Sequence, residues 1–151
     1  MGDTEALKII LDANPDVLAH NVETVPRLYP HVRPKAVYQR SLDILKASSE
    51  LRPDITVKSG IMVGFGETED EILEVIKDAA DHGCQIMTIG QYLRPSDWHL
   101  PIEKFYTPEE FLQLKEKGEA LGMKYIESGP LVRSSYMAHK QMAAFKHKIK
   151  K

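Results

Sequence analysis

Apolar side chains recur along the chain with two periods, one typical of helices and one of buried strands. The helical period predicts helices over residues 5–11 and 37–50, between turn signals at 68 and 83, from 107 to about 121, and from about 135 onward. Short runs of apolar and β-branched residues predict strands over 17–22, 55–64, 86–92 and 124–127. Helices and strands therefore alternate along the chain.

Helix-capping residues support two of these helices. Thr68 with Glu71 has the pattern of a capping box, and residues 107–110 repeat it with proline at the first helical position. Gly83 and Gly122 follow the predicted helix ends, where a left-handed residue is common.

Prolines at 26, 30 and 34 interrupt the pattern. Each proline fixes its own φ and restricts the residue before it, so we expect a loop without regular structure across residues 25–35. A second loop is expected from 94 to 104.

The alternation predicts βαβ units and a parallel sheet, hence an α/β fold. At 151 residues, a single domain spanning residues 1–151 is expected. Four strands with helices on one side form either a small open sheet or an arc of a (β/α) barrel. Periodicity does not separate these two architectures.

Composition excludes several function classes. The chain has 20 Lys plus Arg against 22 Asp plus Glu, a formal net charge of −2, and lacks the basic stripe that favours a nucleic-acid partner. No apolar run reaches the roughly 18 residues of a membrane span, and the N-terminus lacks the features of a secretory signal. We therefore expect a cytoplasmic protein with neither nucleic acid nor membrane as partner.

Cys84 is the only cysteine. An internal disulfide is therefore excluded, as is an iron–sulfur or other metal site built only from cysteines of this chain. Cys84 follows a glycine turn and is expected to pack as a small apolar group.

Polar residues and glycines concentrate where the predicted strands end. In parallel α/β folds ligands bind at these carboxyl ends, where loop amides and helix N-termini converge. The candidates are His20, Asn21, Glu23 and Thr24; Lys58, Ser59, Gly60 and the run to Glu67; Gln91, Tyr92, Arg94 and Ser96; and Glu127, Ser128, Gly129 and 133–136.

Each candidate also has a purely structural interpretation. Residues 64–67 fit a tight turn, His20 fits a partly buried histidine, and Met62 fits a gap-filling core position. Ser134 or Ser135 fits a helix N-cap. The coincidence of polar ends on consecutive strands favours a binding site.

Seven ordered segments carry a resemblance to a known family. They are residues 20–29, 32–34, 38–42, 58–68, 90–96, 99–101 and 128–136. Together they resemble the C-terminal half of lipoyl synthases, which are radical S-adenosylmethionine enzymes, and the likeness extends roughly over residues 5–141.

The resemblance implies a partial (β/α) barrel, S-adenosyl-L-methionine as cofactor and two 4Fe–4S clusters. In the family, one cluster cleaves the cofactor to a 5′-deoxyadenosyl radical, which abstracts hydrogen from an octanoyl chain on a carrier-protein lysine. The auxiliary cluster is consumed as the sulfur donor. The implied role is lipoate biosynthesis, with an octanoylated lipoyl-carrier protein as partner.

The resemblance also implies site residues. Gly60, Met62, Gly64 and Glu67 are similar to the GxIxGxxE pattern that passes the adenine, with Met in place of Ile. Asn21, Glu23 and Arg40 are implied near the ribose or methionyl group, and Gln91 and Tyr92 beside the adenine. The terminal motif at 133–136 implies that Ser134 or Ser135 ligates an iron of the auxiliary cluster, and the sequence does not decide which.

One departure from the family is severe. Its CxxxCxxC and CxxxxCxxxxxC motifs lie upstream of the matched region, and Cys84 matches neither. We therefore expect no cluster and no catalytic residue in this chain alone, and an N-terminal cysteine-bearing part as a required partner.

Three hypotheses remain from the sequence. The chain is the C-terminal half of a truncated or split lipoyl synthase, a cluster-free module that binds S-adenosylmethionine or a carrier protein, or an inactive remnant with an unpaired sheet edge. A dinucleotide-binding enzyme is disfavoured, because residues 64–66 lack the third glycine of that fingerprint.

Overall fold

Four strands and the intervening helices follow the predicted order. The computed structural model describes residues 4–135 and 138–149. The elements are α1 (Thr4–Asp12), β1 (Val17–Ala19), a 3₁₀ helix (Pro26–Leu28), α2 (Tyr29–Val32), α3 (Tyr38–Leu51), β2 (Thr56–Val63), α4 (Glu69–Asp81), β3 (Ile86–Gln91), α5 (Pro108–Ala120), β4 (Tyr125–Gly129) and α6 (Ala138–Ile149).

All four strands are parallel and lie side by side in chain order, β1-β2-β3-β4. Crossovers between parallel strands are right-handed, and each successive strand here is added on the same side of the previous one. The crossover helices therefore lie on one face of the sheet. The predicted α/β fold is confirmed. A sequential order is that of an arc of a (β/α) barrel, whereas doubly wound sheets reverse their order at a switch point.

The two faces of the sheet are covered differently. Met87, Ile89 and Ile126 belong to the main core beneath the helices, together with Leu45 of α3 and Ile76 of α4. The alternate strand positions Ile86 and Tyr125 lie on the opposite face and pack against Phe145 of α6. We call this opposite face, which would line the inside of a closed barrel, the concave face.

The predicted helix caps are confirmed. Thr68 accepts from the Glu71 amide and the Glu71 carboxylate accepts from the Thr68 amide, and the same reciprocal pair forms between Thr107 and Glu110. Gly83 is left-handed after α4, with φ 84°.

The loop expected across residues 25–35 is wrong over residues 26–32, which are helical, whereas residue 25 and residues 33–35 lie outside helices and strands. A 3₁₀ turn at Pro26–Leu28 runs directly into the short helix α2. Proline lacks an amide hydrogen and has a φ suited to helices, so Pro26 and Pro30 occupy first-turn positions where neither property interferes. Prolines at this spacing begin helical turns here and do not prevent them.

The terminal helix is described from Ala138, and the stretch 136–137 at its predicted start lies outside the described residues. No helix within residues 4–135 and 138–149 combines the length and apolar character needed to cross a membrane.

Candidate functional site

A pocket of about 470 Å³ lies at the carboxyl end of β1 on the concave face. It is lined by Ala19, His20, Asn21, Glu23, Arg33, Ser134 and Ser135. The segment after β4 therefore reaches the end of β1, although β2 and β3 lie between these strands. Asn21 and Glu23 are brought together with both serines, as one candidate site requires.

An irregular backbone shapes this pocket. Strand β1 was predicted over 17–22 but ends at Ala19, because Glu23 pairs with Ile61 while Ala19 pairs with Lys58. The β1 side thus advances four residues where β2 advances three. One extra residue forms a bulge, a feature that re-aims side chains next to functional sites.

Glu23 holds this bulge in a strained conformation. Its φ is 70°, and the Thr24 amide donates to the carbonyl of Val22 across it at 2.9 Å. Left-handed backbone at a non-glycine residue costs about 1–3 kcal/mol and persists where neighbouring bonds enforce it. Here they do, since the Glu23 amide donates to Gly60 O at 3.0 Å and its carbonyl accepts from Met62 N at 2.9 Å.

Asn21 presents an unused acceptor. Its Nδ2 donates to Glu23 Oε1 at 3.2 Å, whereas its Oδ1 is buried without a partner. A Cβ at position 60 would lie 3.0 Å from this oxygen and 2.6 Å from Thr88 Oγ1, so glycine at 60 leaves space for the Asn21 side chain. A buried orphan acceptor favours a ligand that carries a donor, such as a hydroxyl or an ammonium.

Arg33 is a site residue that sequence reasoning missed. Its Nη1 donates to the Asn21 carbonyl at 3.2 Å, and its guanidinium lies 5.8 Å from the centre of the Tyr29 ring. The Tyr29 hydroxyl in turn donates to Val22 O at 2.6 Å, so α2 braces the bulge from beneath. Residues 32–34 belong to the segments that resemble the family, which was the available signal. Because a loop without regular structure was expected there, the sequence did not predict where the Arg33 side chain would lie.

The histidine at the pocket wall is neutral. Burial lowers the pKa of His20, and the nearby Arg33 cation lowers it further. Its Nε2 is buried without a partner. The side chain adds hydrogen-bonding capacity to the pocket without adding charge.

Glu67 is engaged in its own loop. Its carboxylate accepts from the Gly64 amide at 2.6 Å, the Phe65 amide at 2.9 Å and the Tyr106 hydroxyl at 3.0 Å. Glu67 is buried and does not line the pocket. It shapes the turn after β2. Gly64 and Gly66 adopt positive φ values of 121° and 95° in this turn, a conformation that glycine permits.

Gln91 and Tyr92 are engaged in the same manner. Gln91 Nε2 donates to Lys104 O at 3.0 Å, and its Oε1 accepts from the Tyr106 amide at 3.0 Å. Tyr92 stacks on Phe65 with ring centres 3.9 Å apart, and its hydroxyl donates to Leu100 O at 2.9 Å. Both side chains anchor the loop after β3, and their contact with a cofactor stays a prediction.

The two other predicted site residues lie apart from the pocket lining. Arg40 is exposed on α3, and Met62 is half-buried against the main core. Their assignments also stay predictions.

Comparison with known families supplies the decisive observation. The sequence model of the Radical SAM superfamily matches residues 1–79. The chain belongs to the Radical SAM superfamily.

Two curated relatives of this radical SAM chain are lipoyl synthases. It is 55% identical over 140 residues to the lipoyl synthase of Rubrobacter xylanophilus, covering 93% of this chain and 44% of that protein. It is 59% identical over 138 residues to the lipoyl synthase of Caldanaerobacter subterraneus, covering 91% and 49%. The resemblance to lipoyl synthase is thus confirmed, and the chain spans about half the length of the curated relatives it matches.

A solved structure supports the fold of the radical SAM chain. The crystal structure of a putative phosphonomutase from Burkholderia cenocepacia J2315 aligns with a TM-score of 0.54, covering 99% of this chain and 61% of that one. The sequences are 14% identical, so the likeness concerns the fold alone.

The residues of the radical SAM chain fit S-adenosylmethionine better than an iron–sulfur cluster. The unpartnered Asn21 oxygen suits the hydroxyl or ammonium donors of that cofactor. Cys84 is buried just before β3, its thiol donates to Ile86 O at 3.2 Å, and burial raises its pKa to about 12. Within the described ranges no three His, Cys, Asp or Glu side chains are grouped to hold a metal.

Proposed function

We propose that this chain supplies the S-adenosylmethionine-binding wall of a lipoyl synthase, which inserts sulfur into a protein-bound octanoyl group to form the lipoyl cofactor. The identity of 55–59% to lipoyl synthases over more than 90% of the chain carries the proposal. The pocket that joins Asn21 and Glu23 to the serine segment supports it.

Roles follow from the contacts of each residue. Asn21 Oδ1 and the Glu23 carboxylate bind the ribose or methionyl end of the cofactor, and Gly60 leaves room for Asn21. Glu67 acts indirectly by holding the loop after β2 in shape.

The serine segment provides the second part of the site. Ser134 and Ser135 are exposed and line the pocket, so either hydroxyl is accessible to a metal. We assign one of them to an iron of an auxiliary 4Fe–4S cluster. A serine oxygen is a weak ligand for iron among thiolates, which favours release of that iron when the cluster gives up sulfur.

The remaining parts come from outside the described residues. Thiolates hold iron–sulfur clusters, and the thiol of Cys84 stays protonated and buried. A cysteine-bearing N-terminal part must therefore supply the cluster at which S-adenosylmethionine yields the radical that abstracts hydrogen. The substrate partner is an octanoylated lipoyl-carrier protein.

Reconstitution with a relative tests the proposal. The chain is co-expressed with the non-overlapping N-terminal part of the Rubrobacter xylanophilus lipoyl synthase and supplied anaerobically with iron, sulfide and S-adenosylmethionine. Dithionite is added as the one-electron reductant that cleavage of S-adenosylmethionine requires, together with an octanoylated carrier domain. We expect mass spectrometry to show sulfur gained on the octanoyl group. Absence of product with binding of S-adenosylmethionine retained by calorimetry would favour the binding-module hypothesis instead.

Single serine variants then identify the cluster ligand. Ser134→Ala and Ser135→Ala serve as each other's matched control, because both side chains are exposed and line the same pocket. We expect one variant to lose sulfur transfer while still cleaving S-adenosylmethionine, and the other to keep both. Equal behaviour of the two variants contradicts the assignment.

A further inference from the structure

Lys58 is a buried cation that the proposed roles do not use. It lies on β2 with 4% of its surface exposed, and its Nζ donates to Ser134 O at 2.6 Å and to Gln141 Oε1 on α6. Burial lowers its pKa, whereas Glu127 on β4 and Cys84 raise it. Burial of an ammonium group costs free energy unless the group is hydrogen-bonded. The two acceptors must therefore stay in place for Lys58 to remain buried as a cation.

A second contact holds the same segment. A Cβ at Gly90 would collide with Val132 O and lie 3.1 Å from Arg133 Nη1. The missing side chain lets the backbone at 132 rest directly on β3. Any larger residue at position 90 would push this backbone away from the sheet.

Together the two contacts define a path across the concave face. The chain leaves β4 in a turn, where Val132 N donates to Gly129 O at 3.1 Å, passes over β3 at Gly90, and meets Lys58 on β2. It then reaches the pocket at the end of β1. The position of the serines is thus set by groups on two strands that do not line the pocket.

We propose that Lys58 is a positioning residue, acting with Gly90, that fixes the Ser134–Ser135 segment at the pocket. This inference rests on the proposed function for its catalytic consequence, but its structural part stands on the hydrogen bond and the close approach alone. Lys58 does not line the pocket. It acts through the backbone carbonyl of Ser134, and the segment is misplaced when that bond is lost.

Hydrogen exchange on the chain tests the structural part. Lys58→Met keeps the length of the side chain and removes its donors, and Lys77→Met is the control, since Lys77 is an exposed lysine paired with Asp81 on α4. We expect amides at 131–135 to exchange at least about tenfold faster in Lys58→Met, as loss of a charge-assisted hydrogen bond implies. Lys77→Met should leave them unchanged.

Gly90→Ala provides an independent test if Lys58→Met loses stability throughout. We expect it to accelerate the same amides, while Gly129→Ala does not, because a Cβ at 129 lies 3.4 Å from Val132 Cγ2. Unchanged exchange at 131–135 in either Lys58→Met or Gly90→Ala, in a folded protein, overturns the inference.

The reconstituted enzyme tests the catalytic part. A displaced serine segment should impair sulfur transfer more than cofactor cleavage, so we expect Lys58→Met to raise the ratio of S-adenosylmethionine cleaved to lipoyl groups formed by about tenfold, as a shift of ~1.4 kcal/mol implies. A merely destabilising change would lower both equally, and that result contradicts positioning. If the wild-type mixture makes no product, the proposed function fails, and the exchange measurements still decide the role of Lys58.

Discussion

Glu67 is a motif residue whose carboxylate is bound by its own loop. Three hydrogen bonds to its carboxylate come from Gly64, Phe65 and Tyr106, so the side chain organises the turn on which a cofactor would rest. The family resemblance implied that Glu67 belongs to a cofactor site, and that assignment stays a prediction. It did not predict that the carboxylate would face the protein interior.

Replacement of Glu67 by glutamine should destabilise the fold measurably. The amide group of glutamine would place a donor opposite backbone amides that also donate, and hydrogen bonds to charged groups contribute about 1.5–3 kcal/mol. We expect a loss of about 2 kcal/mol in Glu67→Gln by urea denaturation. Glu103→Gln, at an exposed position of the adjacent loop, should change stability by less than about 0.5 kcal/mol; a similar loss there would contradict this role.

At the scale of elements, the capping box at the start of helix α4 gains further hydrogen bonds from Arg27 of the 3₁₀ helix. The Glu71 carboxylate accepts from the Thr68 amide at 2.8 Å and from Arg27 Nε and Nη2 at 2.7 and 2.9 Å. Arg27 also donates to Gly66 O at 3.0 Å. The 3₁₀ turn that holds Arg27 thus joins the start of α4 to the turn after β2.

The Glu71 cap makes stability depend on acid. The Arg27 guanidinium, with the Thr68 amide, holds the pKa of Glu71 at about 2, below its ordinary 4.5. A lowered folded-state pKa stabilises the fold above the unfolded value, and this stabilisation is lost as pH falls from 4.5 towards 2. The pair is partly exposed, so we expect solvent to limit the effect to about 1 kcal/mol.

Denaturation from pH 5 to 2 checks this dependence. Glu71→Gln should lose less stability on acidification than the wild type, because it has no carboxylate to protonate. Arg27→Met should lessen the dependence likewise. If both variants keep the wild-type dependence of stability on pH, the Arg27–Glu71 pair is not its source.

Helix ends permit a second comparison. Gly83 and Gly122 both have positive φ, at 84° and 112°. A Cβ at 83 would lie 2.6 Å from Ser49 Cβ, whereas a Cβ at 122 meets nothing within 4 Å. Gly122→Ala should therefore cost about 1–2 kcal/mol of backbone strain alone, and Gly83→Ala more. Equal losses of stability in the two variants, measured by thermal denaturation, would show that α3 shifts to accommodate the new methyl group at position 83.

At the scale of the whole molecule, the sheet separates two cores of unequal size. The main core lies beneath the helices, while the concave face is covered in part by α6 through Phe145 and Met142. Lys148 adds an ion pair with Glu119 of α5 at 2.6 Å. A small cluster holds α6, so its attachment should be less stable than the sheet.

Phe145→Ala should release α6 without unfolding the sheet. Removal of a buried phenylalanine costs about 3–5 kcal/mol, more than a small peripheral cluster is expected to retain. We expect hydrogen exchange to accelerate across 138–149 while amides of β2 and β3 stay protected. His147→Ala, on an exposed position of the same helix, is the control. Simultaneous loss of protection in the sheet would show that α6 is part of the main cooperative unit.

The elements were more predictable than the site for a local reason. Capping at Thr68 and Thr107, the glycine after α4 and the apolar strands depend on residues within a few positions of one another. The turn at Pro26 was not predicted because residues 25–35 lack the capping residues that mark a helix start at Thr107. The bulge before Glu23 depends on pairing with β2, which lies far along the chain.

The sequence by itself determined the alternation of helices and strands, the family resemblance and the absence of a second cysteine. Only the tertiary structure decided which polar groups meet. It placed Asn21 and Glu23 with the serines and directed the side chains of Glu67 and Gln91 into their own loops. It also brought Arg33 to the carbonyl of Asn21 and Lys58 to the carbonyl of Ser134. The physical reason is that periodicity and capping are local interactions, whereas a pocket is built from contacts between strands that are distant in sequence.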